Sequence, residues 1–278
     1  MTIKYNVVKL KDNSTKEVKD FVSIEEPLEM NLKYKINNKW VMEHLSITMR
    51  TPGHDEDLIS GFLFNEGIIE KISEIENIEK IGEKVGDLNI QNKIVATINN
   101  TKNIDIEKIK KNFITNSSCG VCGKTSLETV EIIKKEKMDI SFPKIGKKII
   151  LKSPELLINE QSEFSKTGGI HASSLINENG KVIATREDVG RHNALDKLIG
   201  CSNKQKLIDN RSHFIACSGR LNFELIQKGL MSNIGIMAGV GAPTSLAIDL
   251  AKRFEMTLLG FVKNNSFNIY TNKERIIL

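Results

Sequence analysis

Apolar and polar positions alternate with a period of two from Leu28 to Ile36, break at Asn37-Asn38, and alternate again from Val41 to Met49, which predicts a β-hairpin. Thr51-Pro-Gly53 interrupts the chain. The acidic run His54-Asp-Glu-Asp57 then precedes the stripe Leu58, Ile59, Phe62, Leu63, predicting a helix with negative charge at its N-terminus, where the dipole favours it. The Lys/Glu-rich stretch that follows reads as helix or loop. Asn92 to Ile98 reads as a strand and Ile104 to Phe113 as a short polar helix. The segment from Thr115 to Lys124 follows neither period and is rich in turn-favouring residues, so an exposed loop is expected, with a further helix from Ser126 to about Lys137.

From about residue 146 the texture shifts to less lysine, more glycine and longer apolar runs. A domain boundary is placed here, between a smaller α+β domain (1–145) and an α/β domain (146–278). Gly169 to Ile176 and Val182 to Thr185 flank Asn177-Glu-Asn-Gly180 as a second hairpin, and Arg186 to Asp196 leads into a helix. Strands at His213–Cys217, Ile234–Gly239 and Thr257–Val262 then alternate with helices at Phe223–Met231 and Ser245–Phe254. Such alternation predicts parallel strands with right-handed crossovers and ligands beyond the strands' carboxyl ends. Three loops meet that description: Ser218-Gly-Arg220, Val240 to Ser245, and Lys263 to Ser266. The second contains glycine and opens a helix, so its free N–H groups suit a phosphate.

Hydrophobic residues make up 40% and charged residues 27% of the 278, a globular balance that excludes wholesale disorder and a fibrous protein. The net charge of +5 is spread among acidic neighbours, mild support for an anionic ligand and little for nucleic acid. Charged residues punctuate the N-terminus, which lacks the apolar core of a signal peptide, and no run approaches the ~20 apolar residues of a membrane helix. Four cysteines do not make the disulfide framework of a small secreted domain. A soluble, cytoplasmic protein with no membrane or nucleic-acid partner is expected.

Cys119 and Cys122 form a C-x-x-C followed by Lys124 and a predicted helix. A helix N-terminus and a nearby ammonium both favour thiolate, the form that attacks or accepts sulfur. An exposed loop also lets one sulfur visit a donor and then an acceptor. Half of a zinc site is the bland alternative, but no second C-x-x-C or H-x-x-x-H completes it, and the strand and long helix of a thioredoxin motif are not predicted around it. Cys201 and Cys217 read as ordinary residues. A second cluster gathers His171, Arg186, Glu187, Asp188, Arg191 and His192 near Gly168-Gly169. His171 as a core histidine and Arg186 with Asp188 as a salt bridge are its bland readings. Arg220 suits a phosphate through its guanidinium fork, or simply pairs with Glu224.

Five ordered motifs together resemble the FdhD family of formate dehydrogenase accessory sulfurtransferases: Ser117 to Lys124, Thr167 to Ser173, Arg186 to Lys197, Gly241 to Ala247, and Gly260-Phe-Val-Lys263 through Asn268-Ile-Tyr270. The resemblance implies a sulfur carrier that takes persulfide sulfur from a cysteine desulfurase and delivers it to the molybdenum or tungsten bis-pterin guanine dinucleotide cofactor of formate dehydrogenase. Cys119 matches the persulfide cysteine and Cys122 its helper. The family's guanine-dinucleotide site maps to Phe261, Val262, Lys263, Asn264, Asn265 and Ser266, where the topology independently asks for a ligand. The resemblance also implies a homodimer and a C-terminal domain of cytidine deaminase-like fold, with a mixed sheet and helices on both faces. A catalytic zinc is not expected, because His171-Ala-Ser173 lacks the deaminase glutamate and the C-x-x-C precedes the histidine. The rival reading is a chaperone that binds the metal-pterin cofactor and uses its cysteines only structurally.

Overall fold

A computed structural model describes residues 1–85, 88–98 and 137–278. The expected Ile104–Phe113 helix, the loop carrying Cys119 and Cys122, and the helix from Ser126 lie outside the described residues.

The chain opens with a ribbon that the residue pattern did not predict. Strands β1 (Thr2–Lys11) and β2 (Ser14–Ser23) pair antiparallel around Asp12-Asn13, both at positive φ, the geometry of a tight two-residue hairpin. Most of its side chains on both faces are exposed, so no buried side leaves a clean alternation to read.

Next comes a four-stranded sheet of order β4-β3-β6-β5, from β3 (Glu26–Ile36), β4 (Lys39–Arg50), β5 (Ile75–Val85) and β6 (Ile90–Ile98). The predicted hairpin is β3–β4, with Asn37 and Asn38 at positive φ in its turn. Helix α1 (Asp55–Asn65) follows the acidic run and packs Leu58, Ile59 and Leu63 against Leu28, Leu32 and Ile94 of the sheet. The helix-or-loop reading of the Lys/Glu-rich stretch is corrected here, for its second half is strand β5. Its apolar residues Ile75, Ile78 and Ile81 recur every third position, which imitates a helix; a register irregularity between Ile75 and Asn77 lets Ile75 and Ile78 pack on the same core, whereas Ile81, in unbroken register with Ile78, falls on the other face.

Beyond β7 (Ile145–Gly146) runs α2 (Lys147–Glu160), another element the pattern did not predict, its face interrupted by lysines and Pro154. A short helix α3 (Phe164–Thr167) leads to β8 (His171–Asn177) and β9 (Val182–Asp188). Helix α4 (Arg191–Lys204), β10 (His213–Cys217), α5 (Phe223–Met231), β11 (Ile236–Gly239), α6 (Ser245–Arg253), β12 (Thr257–Lys263) and β13 (Ser266–Thr271) follow; β14 (Ile276–Ile277) pairs with β7. The six strands from β8 to β13 form one mixed sheet of order β13-β12-β11-β10-β8-β9. Its parallel neighbour pairs are β10–β11 and β11–β12. Strands β8 and β13 are antiparallel to their neighbours. One face carries α2, with Ile150 and Leu157 on Phe214, Ile236 and Leu259. The other carries α4, α5 and α6, with Leu195, Ile226 and Leu250 among Ile215, Met237 and Leu258.

Helix α1 crosses α4 at glycine on glycine. A Cβ on Gly61 would lie 1.9 Å from the Asp196 carbonyl oxygen, and one on Gly200 2.0 Å from that of Asp57. Around this crossing Arg186 meets Asp57 at 2.8 Å, and Asp196 accepts from Asn65 at 2.6 Å and Lys228 at 2.8 Å. Among the described residues no helix is long and apolar enough to cross a membrane.

Candidate functional site

The carboxyl ends of β10, β11 and β12 lie side by side, and main-chain hydrogen bonds tie the segments beyond them together. Val240 N–H donates to Cys217 O at 3.0 Å, Gly241 N–H to Gly219 O at 3.2 Å, and Phe261 N–H to Gly241 O at 3.1 Å. Leu221 N–H adds a bond to Ala242 O at 3.1 Å, and Thr244 N–H one to Leu221 O at 3.0 Å. The approach is close enough to require glycine: a Cβ on Gly241 would sit 2.9 Å from Arg220 N, and one on Gly260 2.7 Å from Pro243 Cδ. The Ser218–Arg220 and Val240–Ser245 loops are therefore one surface, joined to β12 at Phe261, two residues before the third loop begins.

Within the Phe261–Ser266 segment the structure corrects the loop expectation. Phe261, Val262 and Lys263 belong to β12, Asn264-Asn265 is a two-residue turn, and Ser266 begins β13 and pairs with Lys263. Phe261 sits at φ +52°, where the ladder breaks register, and the residue is 44% exposed. The side chains of Lys263, Asn264, Asn265 and Ser266 are exposed, whereas Val262 is buried against the α2 face. Val262 thus presents no side chain to a ligand. Arg220 is exposed and does not pair with Glu224, which instead meets His192 at 3.0 Å. The hydrogen bond from His192 holds the Glu224 carboxyl below its usual range despite burial.

The second cluster is drawn apart. Arg186 turns to Asp57, away from Asp188, and donates to Cys201 Sγ at 2.7 Å. Asp188 meets Lys197 at 2.6 Å and accepts from the N–H groups of Thr51 and Gly190. Burial pushes the Asp188 carboxyl up while Lys197 pulls it back. His171 remains at the edge, half-buried, its Nδ1 3.3 Å from Ser218 Oγ, which also accepts from Ala172 N–H at 2.9 Å. Burial, reinforced by the charge of Arg191, lowers the His171 pKa, so the ring is neutral at neutral pH. Cys201 and Cys217 are buried thiols; burial raises both, Cys217 to about 11, so neither is thiolate at neutral pH.

Gln161 is a buried polar residue that the pattern did not single out. It follows α2 on the stripe of Ile150 and Leu157, a polar residue on an apolar face, 2% exposed and beside the Gly168-Gly169 turn. That polar interruption of a helical stripe was the available signal.

The model of the FdhD/NarQ family matches residues 24–277. A protein named sulfur carrier protein FdhD from Saccharolobus solfataricus is 37% identical over 98% of this chain and 97% of its own length. Proteins of the same name from Picrophilus torridus (41% identical, 94% of each chain) and Streptomyces avermitilis (38%, covering 100% of this chain and 96% of that one) are similar throughout. The fold also superposes on a crystal structure from Desulfotalea psychrophila, described as a candidate formate dehydrogenase accessory protein. The TM-score is 0.72 at 24% identity, over 99% of both chains. With its motifs in order and the match running almost end to end, this chain belongs to the FdhD/NarQ family.

Proposed function

We propose that the protein is a cytoplasmic sulfur carrier that serves formate dehydrogenase, loading sulfur on Cys119 and passing it to a guanine-dinucleotide metal-pterin cofactor. The observation that carries this reading is near-full-length similarity to proteins named sulfur carrier protein FdhD, in a chain that also has Cys119-Gly-Val-Cys122. In the first step the Cys119 thiolate attacks the terminal sulfur of the desulfurase persulfide; a Cys119 persulfide forms and the donor's thiolate leaves. In the second, the Cys122 thiolate attacks the inner sulfur and expels the outer one as hydrosulfide for the metal. The resulting Cys119–Cys122 disulfide is reopened by a thiol reductant.

The carboxyl edge supports the acceptor half of the reading. Lys263 offers charge to phosphate, Asn264 and Asn265 offer amides to a base edge, and the exposed ring of Phe261 offers a stacking face. The mixed sheet with helices on both faces supports the deaminase-like layout that the family resemblance implies. The molybdenum or tungsten cofactor enters here as cargo. A homodimer suits a carrier that must hold a cofactor with two dinucleotide arms.

Intact mass spectrometry after incubation with a cysteine desulfurase and cysteine tests the sulfur half. Wild type should gain one sulfur and Cys119→Ala none, with GDP binding unchanged in the variant. Loading that survives Cys119→Ala would transfer the role to another thiol. No loading of wild type by a competent desulfurase would favour the cofactor chaperone.

A further inference from the structure

The β1–β2 ribbon stands apart from the rest of the chain. Among the described residues, the side-chain bonds that tie it down lie at its base: the Met1 ammonium meets Glu163, and Ser23 Oγ meets Thr167 Oγ1 at 2.7 Å. Ten residues per strand carry it about 33 Å. Two strands alone are marginal in water and need a third strand or a packed face. The register sets Ile3 opposite Val22, Tyr5 opposite Asp20 and Val7 opposite Val18, so these six side chains share one side. Tyr5 is 54% and Val22 42% exposed, which leaves that apolar side uncovered.

A second uncovered apolar surface lies on β4, the edge strand of the four-stranded sheet. Trp40, Met42, Ile47 and Met49 stand opposite Lys35, Lys33, Glu29 and Pro27 of β3, which alternate with the core residues Leu28, Leu32 and Tyr34. The column therefore faces away from α1, and its four residues are between 46% and 59% exposed. A long apolar edge strand invites association unless something covers it. The Lys33 and Lys35 ammoniums lie 5.2 and 4.5 Å from the Trp40 ring, so the column is bordered by positive charge.

We propose that a second copy of this chain covers both surfaces: the apolar side of one copy's ribbon packs over the β4 column of the other, reciprocally. Each chain carries both halves of the contact, so arms exchanged about a two-fold axis close a dimer and leave neither half open. The lengths agree, with ten-residue ribbon strands against a twelve-residue β4. The charges agree as well, because Asp20 stands among the apolar residues of the ribbon side, whereas lysines border the column. The apolar side chains of the two surfaces offer on the order of 700 Å² per copy, near the ~800 Å² per partner of a stable interface. The shared family model begins at residue 24, so the ribbon lies outside what the family has in common. The inference rests on the homodimer reading above and supplies its interface.

The test is sedimentation velocity on the full-length protein at up to about 100 µM. Wild type is compared with a ribbon variant (Tyr5→Lys with Val22→Lys), a β4 variant (Trp40→Glu with Met42→Glu), and a chain carrying all four substitutions. All four positions are exposed, and melting temperatures verify the fold. Wild type should be a dimer, and each pair of substitutions should raise its dissociation constant by about tenfold or more. The four together should associate more tightly than either pair alone, since lysine on one copy then meets glutamate on the other. Weakening by only one of the two pairs, or losses that simply sum in the combined chain, overturns the exchange. A dimer that neither pair affects leaves the homodimer reading standing without this interface. A monomeric wild type removes both, and its flotation with phosphatidylglycerol vesicles assigns the β4 column to a lipid surface instead.

Discussion

Lys197 and Asp188 face each other at 2.6 Å with 1% and 0% side-chain exposure. The ammonium also donates to Thr51 O at 2.8 Å, and the carboxylate accepts from Asn193 as well as from two backbone N–H groups. Water reaches neither charge, so each depends on the other. Lys197→Met should lower unfolding free energy in urea by about 3–5 kcal/mol, because it strands a buried carboxylate. Adding Asp188→Asn should recover part of that loss, since the amide carries no charge. Two single-site losses that merely add would contradict the pairing. In the sequence Asp188 stood in a candidate cluster with His171 and Arg186; only the fold shows Asp188 turned inward to Lys197, with His171 left at the edge.

At the scale of elements, the α1–α4 crossing is the most exacting contact, because the two helices meet main chain to main chain. Gly200→Ala would place a methyl 2.0 Å from the Asp57 carbonyl and must push the helices apart. A loss of about 3 kcal/mol is expected by urea denaturation. Gly146→Ala, whose added Cβ meets nothing within 4 Å, should change stability by less than about 1 kcal/mol either way. Elements with one buried face and a good terminator were legible in advance: the β3–β4 hairpin with its Asn-Asn turn, α1 behind its acidic run, and α5, whose stripe ends where the prediction ended it. Those without such a face were not. The β1–β2 ribbon buries too little to leave a pattern, β5 carries a three-residue isoleucine spacing that imitates a helix, and α2 is broken by lysines and a proline. The site divides the same way. The three loops followed from strand–helix alternation, but the antiparallel β13 that turns the last of them into a hairpin did not, since nothing in its residues sets its direction.

Across the whole molecule, pH acts mainly through histidines. Burial lowers the pKa of His54, His171 and His213 below the ordinary 6.5. A folded state that binds protons less readily than the unfolded chain is favoured above that value, and the advantage disappears as pH falls through the lowered pKa values. Unfolding free energy should therefore be level above neutrality and decline as pH drops below about 6.5, before carboxylates such as Asp55, also lowered, add their share under more acidic conditions. Replacing all three histidines with glutamine should flatten the first decline; an unchanged slope would place its origin elsewhere. The knitted carboxyl edge has a different kind of consequence. Its outline is drawn by peptide groups, so side chains around it are free to drift over evolutionary time while the outline persists. Gly241 and Gly260 lack that latitude, and a single methyl at either one redraws the surface for every ligand at once.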